Sequence, residues 1–377
     1  MLIGVDASRA TVTRRTGTER YSLEILRSLL ALGGQHDWRL YCRSKPAPGL
    51  FVADGDGATR VEIRVLPVPR LWTHVGLSGE MALHPPDVLF VPAHVLPLWR
   101  PRCSLVTIHD LGYRRFPQAH PWRQRLYLDW STRWSARVAT YILADSQATR
   151  ADLISAYGVV GSKIVVVYPG RSEDLARVDE PALLAATRAR YGLRSPYVLY
   201  VGSLQPRKNL RRLVQAFARL LSYSETISEQ LVLAIAGSPA WLADSILREP
   251  ERLGIAGRVR FLGYVDSSDL AALLSGAAAF VFPSLYEGFG FPVLEAQACG
   301  VPVLTSNTSS LPEVAGEGAW LVDPTDIDAI ADGMRRLLCD EALRRTLIAH
   351  GYANIKRFSW RRAAVETLQV IEQMGGG

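Results

Sequence analysis

Short runs of apolar residues alternate along this 377-residue chain with longer stretches in which apolar residues recur every three to four positions. The short runs predict buried strands, and the periodic stretches predict amphipathic helices. Because the two patterns alternate, we expect parallel α/β units. Strands are predicted at residues 2–5, 38–42, 60–66, 88–91, 104–109 and 141–144 of the first half, and at 197–202, 231–236, 259–263, 280–283 and 302–305 of the second.

The same order of patterns occurs twice, which predicts two doubly wound domains. A Tyr-Pro-Gly sequence at 168–170 ends the last strand-like run of the first half. We therefore expect domains over residues 1–170 and 196–357, joined by a polar linker at 171–195 that contains one helix. A last amphipathic helix is expected within residues 358–377.

The composition is that of an ordinary globular enzyme, with 48% hydrophobic residues and 30 glycines. The chain lacks a run of about 18 uncharged apolar residues, so no membrane-spanning helix is expected. Strand-like residues follow Met1 without a basic region, which argues against a secretory signal peptide. The four cysteines are far apart and lack the spacing of a metal or redox site, so we expect a reduced, cytoplasmic setting.

The formal net charge of +7 is concentrated in the first half of the chain. Residues 1–180 carry 23 basic and 17 acidic side chains, whereas the rest carry 20 and 19. Between Arg114 and Arg137, six arginines accompany Asp129, three tryptophans and Tyr127. This segment either contacts an anionic surface at the inner membrane face or a lipid phosphate, or packs its aromatics inward with its arginines in water. No nucleic-acid-binding motif accompanies it.

Two glutamates eight positions apart, Glu287 and Glu295, frame a glycine-aromatic loop after a predicted strand. Pro292 suits the start of a helix, which is expected over 293–299 and to end at Gly300. This places Glu295 in the first helical turn and Glu287 in the loop. Such a pair can accept hydrogen bonds from sugar hydroxyls, or act as the acid and the nucleophile or base of a glycosidase.

The loop between the glutamates brings backbone amides to the start of the helix. The amides of Phe289, Gly290 and Phe291 are expected to face a bound ligand, because the first N–H groups of a helix lack intrahelical partners and its dipole favours an anion. A nucleotide sugar, which carries phosphates and vicinal hydroxyls, fits this arrangement.

A second loop carries two adjacent cations. Gly202 ends a predicted strand, and Arg207 and Lys208 follow just before a helix predicted at 210–223. Fixed cations can stabilise the charge that develops on a departing diphosphate, a group that a glycosidase does not handle. The loop therefore favours glycosyl transfer, although two solvated cations at a helix start would show the same pattern.

With these motifs in this order, the chain resembles the retaining, GT-B-fold glycosyltransferases of family 4, also called glycosyl transferases group 1. The resemblance covers nearly the whole chain and implies an α/β fold of two facing Rossmann-like, parallel-sheet domains with an interdomain cleft. It implies that residues 1–170 bind the acceptor and that residues 196–357 bind the nucleotide sugar. Residues 358–377 would pack back on the N-terminal domain. The loop at 206–209 resembles that of envelope-polysaccharide mannosyltransferases.

The resemblance also implies a role for the residues of both loops. Lys208 would bind the donor diphosphate, and Arg207 would carry more of this task than in many relatives, because Ser203 replaces an arginine found there. Glu287 would contact the donor sugar, and Glu295 the ribose diol.

His109 and Asp110 lie at the end of the predicted strand 104–109, where a parallel sheet faces its ligand. His109 is similar to the active-site histidine that the family places against the donor sugar. Asp110 would orient His109 or reach the acceptor. His94, after another predicted strand, could line the acceptor pocket.

Two further segments match the family less specifically. Gly17, Arg20 and Tyr21 resemble the end of a glycine-rich turn that meets the donor phosphate and the acceptor. Tyr264 and Val265 resemble the loop that holds the nucleotide base, and a purely structural role for their side chains is equally compatible with the sequence.

The combined expectation is a metal-independent retaining glycosyltransferase that moves a hexose, with GDP-mannose favoured, to a saccharide or lipid-linked saccharide in envelope polysaccharide biosynthesis. No cofactor other than the donor substrate, no metal and no nucleic acid partner is expected. The Asp-Gly-Asp sequence at 54–56 resembles a metal-binding motif, but its glycine-rich setting predicts a turn. A GT-B-fold epimerase or hydrolase and a catalytically silent binding subunit remain alternatives.

Overall fold

The structure is a computed structural model of the chain. The residues that it describes are 1–12, 17–51, 60–93, 95–119, 121–193, 196–223, 230–240 and 242–376. The chain forms two compact units, the first comprising Met1–Gly170 with Phe358–Gly377 and the second comprising Arg171–Arg357. Each unit is built on one parallel sheet whose strands alternate with helices, which confirms the predicted α/β class with two Rossmann-like domains.

The described strands of the first unit are β1 (Leu2–Asp6), β2 (Asp37–Cys42), β3 (Val61–Val65), β4 (Val88–Val91), β5 (Cys103–Ile108), β6 (Tyr141–Ala144) and β7 (Ile164–Val166). They form a sheet in the order β3-β2-β1-β4-β5-β6-β7. Its α-helices are Gly17–Ala31, Ser78–Leu83, Gly112–Arg115, Trp122–Val138, Gln147–Tyr157 and Trp360–Gly375, and its other helical turns are Thr73–Leu77, Pro117–Ala119 and Gly161–Lys163.

The core of the first unit follows from the apolar runs. All four residues of the central strand β4 are buried, as expected where helices cover both faces of a parallel sheet, whereas the edge strand β3 is largely exposed. The helix Trp360–Gly375 belongs to this unit and packs closely on it. A Cβ atom added to Gly170 would lie 2.2 Å from the backbone nitrogen of Trp360.

The described strands of the second unit are β8 (Tyr197–Val201), β9 (Val232–Ala236), β10 (Val259–Gly263), β11 (Ala279–Phe282), β12 (Val303–Ser306) and β13 (Ala319–Val322). Their order is β10-β9-β8-β11-β12-β13, that of a Rossmann sheet. The α-helices are Pro181–Arg190, Leu210–Ser222, Asp244–Leu247, Glu249–Arg252, Ser267–Ser275, Phe291–Ala298, Leu311–Ala315, Ile327–Cys339 and Glu341–Asn354, with helical turns at Pro206–Lys208, Ala256–Arg258 and Ile355–Arg357.

Two features differ from the sequence interpretation. Strand β13 was not predicted, and β7 was expected only as a strand-like run, without bounds, that ends at 168–170. In the arginine-rich helix Trp122–Val138, the side chains of Trp122, Tyr127 and Trp130 are exposed, so the interpretation in which its aromatics pack inward is wrong for these three residues. Among the helices of the described ranges, none is long and apolar enough to cross a bilayer.

Candidate functional site

The strand order of the second sheet reverses between β8 and β11, and side chains from the loops after these two strands meet there. Ligands of open α/β sheets bind at such a reversal, beyond the carboxyl ends of the strands. Arg207 and Lys208 follow β8, and Glu287 follows β11. The structure therefore brings together the two cations and the first glutamate that the sequence singled out.

Glu287 forms an ion pair with each of the two cations. Lys208 Nζ lies 2.6 Å from Glu287 Oε1, and Arg207 Nη1 lies 3.2 Å from Glu287 Oε2. Arg207 Nη1 also donates to the Tyr286 carbonyl oxygen at 2.8 Å. The side chains of Arg207, Lys208 and Glu287 are only 15%, 12% and 9% exposed, so both pairs are shielded from water, unlike the weak ion pairs of a protein surface.

The two cations determine the charge of Glu287. Burial alone would raise the pKa of this carboxyl, but Lys208 and then Arg207 lower it by more, so the pKa of Glu287 stays below its usual range. The Ser284 hydroxyl donates to Glu287 Oε1 at 2.6 Å and acts in the same direction. The cluster therefore combines two cationic side chains with one ionised carboxylate.

Asn209 connects the cation-bearing loop to two other loops. It follows the helical turn Pro206–Lys208 in the left-handed conformation, with φ at 62°. Its side-chain amide donates to the Pro283 carbonyl oxygen at 3.0 Å and to that of Pro324 at 2.6 Å. Because Asn209 is buried, these hydrogen bonds hold the cation-bearing loop against the loop after β11.

Two serines after β12 hold the loop that carries Glu287. The Glu287 N–H donates to Ser309 Oγ at 3.0 Å. Ser310 Oγ lies 3.0 Å from the carbonyl oxygen of Glu287 and 2.5 Å from that of Phe289. The sequence did not identify these serines, because polar residues after a strand are equally typical of a solvated loop.

The glycine-aromatic loop leads into the helix Phe291–Ala298. Gly290 precedes this helix at a φ of 128°, and a Cβ atom there would lie 2.9 Å from Leu311 Cδ2, so the position requires glycine. The positive end of the helix dipole is at Gly290 and Phe291, next to the loop of Glu287. Glu295 is buried and lies in the second turn, not the first as predicted, because the helix begins at Phe291.

The other predicted donor-binding residues of the second unit lie at the same edge of the sheet. Gly202 follows β8, and its carbonyl oxygen would lie 1.9 Å from a Cβ atom at Gly237, so the loops after β8 and β9 are in close backbone contact. Tyr264 and Val265 follow β10, two strands from β8. The Tyr264 side chain is exposed and accessible to a ligand.

In the first unit, His109 lies at the end of β5, on the sheet edge from which Pro92 follows β4 and Asp145 follows β6. The Nδ1 atom of His109 is 2.6 Å from Asp145 Oδ2, and its Nε2 atom is 3.0 Å from the Pro92 carbonyl oxygen. Both partners are acceptors of hydrogen bonds. A neutral imidazole has only one N–H, so the protonated ring satisfies this arrangement best.

The electrostatic surroundings agree with a protonated ring. Burial alone would lower the pKa of His109, but the Asp145 carboxylate raises it by more, so the pKa is above its usual range. The second carboxylate oxygen of Asp145, Oδ1, is buried and has no hydrogen-bond partner among the residues that the structure describes. The imidazolium therefore provides the main compensation for the buried negative charge.

Asp110 was predicted to orient His109 or to reach the acceptor. Its Oδ1 atom accepts a hydrogen bond from the Gly112 N–H at 2.8 Å, at the start of the helix Gly112–Arg115. The carboxylate that accepts a hydrogen bond from the Nδ1 side of the histidine ring is Asp145, and the charge of Asp110 also raises the pKa of His109. The sequence analysis missed Asp145, although its place directly after the predicted strand 141–144 is equivalent to that of His109.

The helix Gly17–Ala31 begins at Gly17 and also approaches His109. The ring of Tyr21 packs edge-on against the imidazole with 4.7 Å between centroids, and its hydroxyl lies 3.2 Å from Thr107 Oγ1. Arg20, one residue earlier, is partly exposed. The buried Tyr21 side chain thus packs directly against the imidazole.

Two of the predicted features lie outside the described residues: His94 and the Asp-Gly-Asp sequence at 54–56. In the part of the chain that the structure does describe, no group of three or more His, Cys, Asp and Glu side chains is placed to hold a metal ion.

Two family models match the chain. The model described as glycosyltransferase family 4 matches residues 15–175, and the model described as glycosyl transferases group 1 matches residues 187–354. The two matches follow each other along the chain and confirm the resemblance inferred from the motifs.

Two relatives from Escherichia coli and one solved structure are similar to this chain. O-antigen chain mannosyltransferase B is 36% identical over 270 residues, which cover 71% of this chain and 70% of the relative. The serotype-specific mannosyltransferase WbdA is 35% identical over 228 residues, or 60% of this chain and only 28% of the relative. Anabaena Alr3699/HepE, solved with UDP and glucose, matches with a TM-score of 0.73 over 99% of both chains; at 17% identity this shows the fold alone.

Proposed function

Because the chain belongs to the glycosyltransferase family described as glycosyl transferases group 1, we propose that it moves a mannosyl residue from GDP-mannose to a saccharide or lipid-linked saccharide in envelope polysaccharide biosynthesis. The observation that carries this proposal is the buried cluster of Arg207, Lys208 and Glu287 at the reversal of the second sheet. The mannosyl donor is supported by the names of the two relatives, both mannosyltransferases, and the polysaccharide by that of the O-antigen enzyme.

The cluster would bind the diphosphate of the donor. As the bond between the anomeric carbon and the diphosphate oxygen breaks, negative charge develops on the leaving GDP, and cations already fixed in place stabilise it without reorganisation. Lys208 and Arg207 are both held by the Glu287 carboxylate, and Arg207 is also held by the Tyr286 carbonyl oxygen. The dipole of the helix that begins at Phe291 adds to the same field.

Glu287 and Glu295 would then act as acceptors of hydrogen bonds from hydroxyl groups. Glu287 is ionised and faces the cations, so a donor sugar held against the diphosphate would place its hydroxyls near this carboxylate. Glu295, in the second turn of the helix that begins at Phe291, would accept from the ribose diol. Tyr264 and Val265, together with the backbone at Gly202 and Phe289, would complete the donor site.

The reaction would proceed with retention of the anomeric configuration. The acceptor oxygen forms its bond to the anomeric carbon on the face from which the diphosphate leaves, and the acceptor proton passes to a diphosphate oxygen. No protein side chain need form a covalent intermediate. The protonated His109 would contribute a fixed positive charge against the donor sugar, and Gly17, Arg20 and Asp110 would contact the donor phosphate or the acceptor.

We also propose that transfer does not require a metal ion. In enzymes that use a divalent cation for phosphoryl or glycosyl transfer, the metal neutralises the charge of the diphosphate. Here the two fixed side-chain cations, Arg207 and Lys208, would perform that task. Activity that survives in excess EDTA would support this part of the proposal, and loss that added Mg²⁺ restores would contradict it.

A donor panel tests the proposed function. UDP-, GDP-, ADP- and dTDP-sugars are added to the full chain in EDTA, and thermal shifts are recorded, followed by transfer of radiolabelled mannose from GDP-mannose to lipid-linked saccharides. The proposal predicts the largest shift with the GDP-sugar and label in the lipid fraction. Free mannose without label in the lipid fraction would indicate a hydrolase, and no shift with any donor would indicate a protein that does not use nucleotide sugars.

A further inference from the structure

An ordinary surface helix buries its apolar side chains and exposes its polar ones. The helix Trp122–Val138 of the first unit differs from this pattern. Its buried residues are small or polar: Ser131, Thr132, Ser135 and Ala136. Several of its large apolar side chains face outward, with Trp122 62%, Leu126 56% and Trp130 46% exposed, whereas Trp134 is half-buried. Large exposed apolar side chains grouped on one element mark an interaction surface, whereas scattered ones do not.

The exposed apolar residues continue into a row of cations. Residues three or four positions apart share one face of a helix, and Trp122, Leu126, Trp130, Arg133 and Arg137 follow this spacing. Arg123 is exposed beside them, and its guanidinium lies 5.2 Å from the centre of the Trp122 ring. We call these six residues the tryptophan–arginine face.

The acidic residue of this helix does not cancel the charge of the face. Asp129 accepts from Arg114 at 3.2 Å and from the Tyr157 hydroxyl at 2.8 Å, and lies 3.5 Å from Arg133. The single negative charge of Asp129 is therefore divided between Arg114 and Arg133. The segment that contains the helix remains strongly positive.

Hydrogen bonds from neighbouring segments fix this helix to the rest of the first unit. The Leu96 N–H donates to Ser135 Oγ at 3.0 Å, and Lys163 Nζ donates to the carbonyl oxygens of Ala136 and Arg137, each at 2.9 Å. The close approach that these bonds require explains why small residues occupy the inner side of the helix.

A neighbouring segment extends the apolar surface. His74 Nε2 lies 3.0 Å from the Tyr127 hydroxyl, and the His74 ring is 5.5 Å from that of Trp130. Val75, the next residue in the chain, is 55% exposed. The face therefore belongs to a wider surface that combines aromatic, aliphatic and cationic groups.

We propose that the tryptophan–arginine face docks the protein on the surface of an anionic phospholipid bilayer. Tryptophan side chains favour the interface between headgroups and hydrocarbon, and arginines bind lipid phosphates. The uniform positive charge disfavours pairing with the same face of a second copy. This role goes beyond the proposed transfer reaction, and neither depends on the other.

Vesicle flotation of the full chain tests the proposal with 100 nm vesicles of phosphatidylcholine alone and of phosphatidylcholine with 30% phosphatidylglycerol. Wild type is expected to bind the anionic vesicles, more weakly at high salt. The triple variant Trp122→Ser, Leu126→Ser, Trp130→Ser should bind at least tenfold more weakly, and Arg123→Gln with Arg137→Gln should lose roughly fivefold per arginine. These two variants remove different chemistry, so either one tests the face if the other does not fold.

Matched controls replace exposed groups of the second unit: Tyr223→Ser, which is 47% exposed and so matches Trp130, and Arg345→Gln, whose side chain is 77% exposed. Both should bind vesicles as wild type does. GDP binding by calorimetry should be unchanged in all variants, which separates loss of docking from failure of the proposed function. Equal binding by the face variants and the controls would overturn the proposal. So would binding of single-stranded RNA by this face without any binding of vesicles.

Discussion

His109 Nδ1 lies 2.6 Å from Asp145 Oδ2, although the two residues are 36 positions apart in the chain. The register of the first sheet explains this contact. Ile108 at the end of β5 is paired with Ala144 at the end of β6, so the next residue of each strand leaves the sheet beside the other. The parallel ladder thus places a carboxylate next to a histidine without any local sequence motif.

Replacement of Asp145 by asparagine should lower the pKa of His109, because it removes the carboxylate that raises this pKa against the effect of burial. Histidine ring signals followed by NMR across pH measure the change. His74, whose pKa is lowered by burial, provides an internal control that should not move. An unchanged titration of His109 would show that Asp145 does not set its charge.

The His109–Asp145 pair should also make the free energy of unfolding depend on pH. Because the pKa of His109 is raised on folding, its contribution is complete below the unfolded value of about 6.5 and is lost as pH rises through the folded value. The stability advantage of wild type over Asp145→Asn should therefore decrease on going from neutral to alkaline pH. Urea unfolding of both proteins between pH 6 and pH 9 tests this direction.

Glu287→Gln should show the opposite dependence on pH. The pKa of Glu287 is lowered on folding, so the ion pairs stabilise the protein above the unfolded value of about 4.3 and this contribution is lost as pH falls through the folded value. We expect the variant to lose about 3 kcal/mol near pH 6, and less in acid. Glu341→Gln, which removes an exposed ion pair with Arg345, should change stability by less than about 0.5 kcal/mol. A loss at Glu287 that is the same at every pH would contradict the ionised pair.

Asn209 allows its backbone and side-chain roles to be separated. Asn209→Gly keeps a residue suited to the left-handed conformation but leaves the carbonyls of Pro283 and Pro324 without their donor, so a loss of about 2 kcal/mol is expected. Asn209→Ala should lose about 1 kcal/mol more, because alanine is strained at a φ of 62°. Chemical denaturation measures both values. Equal stability of Asn209→Gly and wild type would rule out the bridging role.

Gly170→Ala should destabilise the first unit by about 2 kcal/mol or more, because the added methyl group would collide with the backbone of Trp360. The matched control is Gly79→Ala, since a Cβ atom at Gly79 meets no neighbour within 4 Å and lies in a helix. Thermal unfolding should show a lower Tm for the first variant and an equal or higher Tm for the second. Similar Tm values for the two variants would mean that the terminal helix is not packed tightly at Gly170.

Much of the architecture followed from the sequence because continuous apolar runs are a direct consequence of burial on both faces of a parallel sheet. Strand β13 escaped prediction, since Ala319–Val322 is short and its residues Trp320 and Leu321 are partly exposed at the sheet edge. The glycine-aromatic loop and the two cations were recognised because phosphate chemistry demands those residue types close together in sequence.

The contacts that the sequence did not reveal depend on strand register and on tight packing. Lys208 and Glu287 are 79 positions apart and meet because β8 and β11 are neighbours in the sheet. The helix Trp122–Val138 illustrates the effect of tight packing. Its periodicity defined two faces but did not show which of them is buried. The face with small side chains is buried because the helix lies close to its neighbours. This depends on tertiary packing, which the local sequence pattern does not show.

The central claim is that fixed side-chain cations neutralise the charge on the departing diphosphate. The rate of mannosyl transfer from GDP-mannose tests it most directly, compared between wild type, Lys208→Ala and the control Arg219→Ala, whose exposed side chain pairs with Asp328 in the same unit. We predict that kcat falls at least tenfold in Lys208→Ala with the fold intact, and stays within twofold in the control. An unchanged kcat in a folded Lys208→Ala protein would contradict the account.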